Sequence, residues 1–206
     1  MINIKIQKIK LSPKKGGNGF VSSYSVNIGS DEAKECGFIG DDVSPLIVKS
    51  IDVKQGKITI YAKKMIIDSE SIQAIIQLAQ KIKELNETMM SKIPRIGKIY
   101  NFSDVPDVSP DSENLDARAV YEATQELKTY LHTLPFESIT DIATLMCIGR
   151  EGDYDKSLVG EQRFLDYWAY LSDISLFKNG KEALIEYIVS KSPLPDNLQK
   201  GLRAIQ

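Results

Sequence analysis

The sequence predicts an α+β protein: a small N-terminal β-rich module, a central helix, and a C-terminal helical bundle. Three observations carry that expectation. Ile2, Ile4 and Ile6 alternate with polar residues at period two; from Ile72 onward apolar residues recur at three and four; and prolines and aspartates interrupt the helical pattern between Ser91 and Ser112. Period two marks a half-buried strand, and the three-four spacing marks an amphipathic helix. With 206 residues, 42% apolar and 26% charged, the chain is long enough for one large or two small cores. Two domains are expected.

Taken in order, the strand over Ile2 to Ile6 is interrupted by Pro13 and by the glycine-rich run Lys15-Gly16-Gly17-Asn18-Gly19. A second strand is expected over Phe20 to Ile28. A short helix follows from Asp31 to Cys36, ended by Gly37 where a left-handed residue is usual. Leu46 to Val53 and Lys57 to Tyr61 form a strand pair joined at Gln55-Gly56, because glycine permits the positive φ of a tight turn. Residues 1–64 are thus a β-rich basic module. Residues 65–90 form an amphipathic helix capped by Asp68 or Ser69, with Ile72, Ile75, Ile76, Ala79, Ile82 and Leu85 on its stripe. It is expected to pack on its own domain, with partner binding as the alternative. Residues 91–112 read as an acidic, proline-rich linker.

The helical domain, 113–206, carries four stripes. Leu115, Ala119, Val120, Ala123, Leu127, Tyr130, Leu131 and Leu134 mark the first; Ile139, Ile142, Ala143 and Met146 mark the second, ending at Gly149. Pro135 separates them. Phe164, Leu165, Trp168 and Leu171 mark a third, and Ala183, Leu184, Tyr187 and Ile188 a fourth that stops before Pro193.

Charge is unevenly divided. Residues 1–64 hold 11 lysines against 6 carboxylates, or +5, so the remainder carries −7 of the total −2. A basic half suits a polyanion, although two mutually attracting solvated surfaces explain the split equally. No apolar run reaches signal-peptide or membrane-spanning length, so a cytoplasmic protein without membrane attachment is expected. Cys36 and Cys147 stand far apart in no paired motif and read as small buried hydrophobes. Asp104, Asp107 and Asp111 lack the glycine and closing glutamate of a calcium loop. His132, the sole histidine, has no nucleophile elbow to serve and reads as a surface or cap residue. No catalytic constellation, metal site or cofactor is therefore expected.

Two candidate sites remain. Lys8, Lys10, Lys14 and Lys15 surround the glycine loop as candidate nucleic-acid contacts; four neutralised phosphates would give a salt slope of roughly −3.5. With no arginine in residues 1–64, base reading would be poor. The alternative is that these lysines solvate a strand or protect a sheet edge. The second candidate is the turn Gly149-Arg150-Glu151-Gly152-Asp153, where Arg150 and Asp153 are partner-binding candidates. Arg150 offers a fork to a carboxylate or phosphate, or else pairs locally with Asp153 or a linker carboxylate. Tyr167, Trp168 and Tyr170 offer an aromatic surface, with Trp168 on the apolar face.

The run Leu145-Met146-Cys147-Ile148-Gly149-Arg150-Glu151-Gly152-Asp153-Tyr154, with Glu186-Tyr187-Ile188-Val189 and the closing Leu198-Gln199-Lys200-Gly201-Leu202, resembles a bacterial domain family of unknown function. That resemblance implies no chemistry. The run Val26-Asn27-Ile28-Gly29-Ser30-Asp31-Glu32-Ala33-Lys34-Glu35-Cys36-Gly37-Phe38, followed by Gly40-Asp41 and Gly56-Lys57-Ile58-Thr59-Ile60, resembles the AbrB-type swapped-hairpin DNA-binding fold. It departs from that pattern at Gly29, where proline is usual, and at Ser30, where a basic residue is usual. The resemblance implies two interleaved chains with basic residues toward DNA. The expected function is a non-enzymatic interaction or adaptor protein that self-associates and binds a protein partner; the alternative is a DNA-binding regulator.

Overall fold

The computed structural model describes residues 12–15, 17, 20–39, 46–52, 56–93, 95–96, 99–100, 105–152 and 157–206. They are α+β with helices dominating, and the chain divides into two compact units, Met1–Lys63 and Lys64–Gln206. The strand expected over Ile2 to Ile6 lies outside the described residues.

In the first unit, β1 (Ser12–Lys15) pairs antiparallel with β2 (Val21–Ser25), with a register irregularity between Lys14 and Lys15. Pro13 therefore sits within a strand rather than ending one. It does so in a sheet of two strands, where every strand is an edge and proline is tolerated. Helix α1 (Ser30–Glu35) begins where the Glu32 carboxylate accepts the Gly29 N–H at 3.0 Å. It ends on Gly37 at φ 69°, with Phe38 N–H donating to the Ala33 carbonyl and Gly37 N–H to that of Lys34. This is the double bond pattern that a left-handed glycine allows. Strands β3 (Ile47–Asp52) and β4 (Lys57–Ala62) pair one-to-one, from Ile47 opposite Ala62 to Asp52 opposite Lys57. Cys36, expected to be buried, is exposed, because it follows the last turn of a six-residue helix with one buried side chain, Ala33.

The second unit is built around a buried helix. Asp68 accepts the Ser71 N–H at 2.7 Å to start α2 (Ser69–Ser91). Asn114 accepts the N–H groups of Asp116 and Ala117 to start α3 (Leu115–Thr133). Pro135 opens α4 (Phe136–Glu151), followed by α5 (Gly160–Asp173), α6 (Gly180–Val189) and α7 (Leu194–Ala204). Helix α4 packs against α5, α6 and α7, while α2 packs against α3 and α7. Every residue from Ser138 to Ile148 is buried, so this helix is covered all round rather than on one stripe. Its polar members are bonded: Thr144 Oγ1 donates to the Thr140 carbonyl at 2.8 Å, Trp168 Nε1 donates to Thr140 Oγ1 at 3.2 Å, and Asp141 accepts the N–H of Ile66 at 2.7 Å. Burying such groups without partners would cost about 1–3 kcal/mol each.

Several expectations need correction. Residues 91–112 include a short strand pair, β5 (Arg95–Ile96) with β6 (Ile99–Tyr100), and join α2 to α3, which pack on each other. Leu115 and Ala183, placed on apolar stripes, are exposed. Leu115 opens its helix beyond the contact, and its place in the core is taken by Ala117. Helix α4 runs past Gly149 to Gly152, which has φ 62°. Helix α7 was not anticipated. Pro195 fits its first turn, where a missing N–H costs nothing. Among the described residues, no helix is long and apolar enough to cross a membrane.

Candidate functional site

The last turn of α4 gathers side chains from three helices. Glu151 Oε1 accepts a hydrogen bond from Arg150 Nη2, and its Oε2 accepts one from the Tyr167 hydroxyl of α5. Arg150 lies over the Tyr187 ring of α6, 5.8 Å from its centroid, and Lys191 approaches the same ring at 4.7 Å. The Tyr187 hydroxyl is 3.6 Å from Cys147 Sγ. Arg150 is thus paired locally with Glu151, while Asp153 lies outside the described residues.

The environment moves each titratable group away from neutrality. Burial pushes the Cys147 thiol up, more than the Tyr187 bond and the Arg150 charge lower it. Burial, then the bond to Glu151, pushes the Tyr167 phenol up, and burial with Cys147 does the same for Tyr187. Burial also pulls Glu151 upward, but hydrogen bonds from Tyr167 and Arg150 and the Arg150 charge outweigh it, leaving the carboxyl below its usual range. The bond to Glu151 raises Arg150 further. The thiol and phenols thus stay protonated and the carboxylate and guanidinium stay charged near neutral pH, a hydrogen-bonded brace at the end of α4.

The brace orders an exposed aromatic residue. Tyr167 is buried and held by Glu151, and the Tyr170 ring meets it edge-on with centroids 5.7 Å apart, while Tyr170 itself is 52% exposed. Trp168 is buried and packs on Phe177 at 5.2 Å. Of the three aromatics, then, Tyr170 alone forms surface. Sequence reasoning missed Glu151 and Tyr187 as partners of Arg150. The three lie on two helices, and the one available signal was that a cation and an anion adjoin at a helix end.

The basic candidates are placed less closely. Lys14 is exposed on β1 opposite Ser23, and Lys15 follows opposite Val21. Lys8 and Lys10 lie outside the described residues. His132 is exposed in the last turn of α3, its Nδ1 3.4 Å from Glu182. No group of three His, Cys, Asp or Glu side chains among the described residues is arranged to hold a metal ion.

No family model, curated protein or solved structure matches this chain.

Proposed function

We propose that this chain is a non-enzymatic interaction protein that self-associates through its N-terminal unit and engages a protein partner through its helical unit. One observation carries the reading. On the β3–β4 hairpin, residues directly opposite each other share a face, so the register puts Ile47, Ile58 and Ile60 on one side. They are 42%, 64% and 40% exposed. Ala33 is the one buried hydrophobic residue described in the unit. A two-stranded sheet is marginal in water by itself, and open strand edges are templates for pairing with another chain. A second copy supplies the missing layer with the same face, as a two-fold interface requires. The resemblance of residues 26–60 to a swapped-hairpin fold supports the same reading.

Sedimentation velocity tests this. The native chain should sediment as a dimer or larger species, and replacing Ile58 and Ile60 together by Lys should yield a monomer with its helical unit intact. A native monomer throughout the micromolar range would overturn the reading.

A second reading, a DNA-binding regulator, draws on the charge of +5 over residues 1–64 and on the exposure of Lys14. Under it, the Lys14→Glu/Lys15→Glu double variant should lose affinity for random duplex DNA measured at about 50 and about 200 mM salt, where phosphate contacts weaken steeply. Absence of binding at the lower salt would retire it.

A further inference from the structure

The outer face of α5 sets exposed carboxylates beside large exposed apolar side chains. Elsewhere in the helical unit four lysines meet carboxylates of a neighbouring helix: Lys81 with Glu126, Lys83 with Asp196, Lys92 with Asp116, and Lys128 with Glu186, at 2.6–2.8 Å. On α5, Gln162, Asp166, Tyr170 and Asp173 are exposed at spacings of four, four and three, which places them on one stripe that Ile174 continues. Asp166 and Asp173 have no ion pair among the described residues, and the helix's cation, Arg163, turns away to bond the Ala204 carbonyl. Between and beside these carboxylates stand Tyr170 and Ile174, 52% and 55% exposed. Tyr170 is held edge-on by Tyr167, which Glu151 holds in turn.

We infer that this stripe is the docking surface for a basic amphipathic segment of a protein partner, with apolar side chains of the segment on Tyr170 and Ile174 and its lysines or arginines on Asp166 and Asp173. Charge complementarity selects the occupant. Residues 65–206 carry −7, and the unneutralised part of that charge on α5 flanks the apolar anchors. An ordered aromatic at the centre of a contact loses little conformational freedom on binding, which is why such residues dominate interface energies. The flanking carboxylates add encounter rate and select against acidic partners. This inference rests on the interaction-protein reading and names the partner for its helical unit.

The test is fluorescence anisotropy of a labelled amphipathic peptide built from Lys and Leu, with a Glu/Leu peptide of the same pattern as control, titrated with the full chain. Salt-sensitive binding of the Lys/Leu peptide alone is expected, about tenfold weaker in the Asp166→Lys/Asp173→Lys variant as charge attraction becomes repulsion. Tyr170→Ala should weaken binding without abolishing its salt dependence. Trp168 fluorescence in each variant verifies that the helical unit is folded. Equal binding by native chain and charge variant, or no binding by either, would overturn the inference. So would a change of sedimenting mass in the charge variant, because the occupant would then be a second copy. Loss of peptide binding with the native oligomer preserved removes this surface alone, whereas a monomeric native chain removes the self-association reading.

Discussion

Glu151 closes the end of α4 by accepting from Arg150 and from Tyr167 at once, and the carboxylate form is the one both bonds favour. Its carboxyl therefore titrates below the ordinary value of 4.5 in the folded chain. A group depressed on folding contributes stability that is present above its unfolded value and lost as pH falls through the folded one. The native chain should accordingly melt above the Glu151→Gln variant near neutrality, and the two melting temperatures should converge as pH drops below about 4.5. Thermal scans of Trp168 fluorescence at several pH values check this; a constant gap down to pH 3 would sink the assignment. The side chain is over a third exposed, so the gap at neutral pH is expected to be small. The sequence reading puts Arg150 in a turn after Gly149, whereas it lies in the last turn of α4, and its neighbours were not legible because Tyr167 reaches Glu151, and Tyr187 reaches Arg150, only through the packing of α5 and α6 on α4.

At the scale of elements, the crossing of α4 and α7 sets the architecture of the helical unit, and two glycines make it possible. A methyl group on Gly149 would come within 1.8 Å of the Asn197 carbonyl oxygen, and one on Gly201 within 2.0 Å of the Leu145 carbonyl oxygen. Both obstacles are backbone, so neither yields to a rotamer change. Alanine gains about 1 kcal/mol over glycine in a helix interior, but overpacking against a rigid neighbour costs about 3 kcal/mol. The clash wins. Gly149→Ala should therefore destabilise the helical unit by about 2 kcal/mol or more, read from denaturant titration of Trp168 fluorescence, and a neutral or stabilising outcome would refute the close crossing. This is also where the sequence was least legible. A glycine that ends a helix and a glycine that admits a neighbouring helix look alike in one dimension, so the sequence pattern ends the helix at Gly149. Helix α7 begins directly after Pro193, where the sequence reading stops the preceding stripe; Pro195 lies in its first turn and Gly201 lies at the crossing. By contrast, the termini of α1, α2 and β4 were legible because their signals are local: Gly37 and Gly56 at positive φ, and Asp68 with its oxygen on the Ser71 N–H.

At the scale of the molecule, the two units differ in how much of their own core they supply. The helical unit buries Phe164, Ile139, Ile142, Leu145, Met146 and Ile148 completely, each contributing about 1.5–3 kcal/mol. The described residues of the N-terminal unit bury Ala33 among their hydrophobic side chains and expose Phe20, Ile39, Ile47, Ile58 and Ile60. The strands β2, β3 and β4 were legible in the sequence while β1 was hidden by Pro13 and the glycines after it, and a strand pattern marks a face without saying what covers it. If a second copy covers it, the stability of the N-terminal unit is linked to chain concentration, since anything that binds the folded state alone stabilises it by mass action. The helical unit has no such dependence. The chain carries one tryptophan, Trp168, buried in α5, so its fluorescence follows the helical unit alone. Raising the protein concentration should leave the Trp168 melting transition unchanged while increasing hydrogen-exchange protection of the β3–β4 amides, by about threefold for each tenfold in concentration once the dimer predominates, because the dissociated fraction falls as the square root of concentration. In the Ile58→Lys/Ile60→Lys variant that concentration dependence should vanish. Protection of β3–β4 that is already high at the lowest concentration and does not change would mean that the hairpin is covered within its own chain, and self-association through this face would fall.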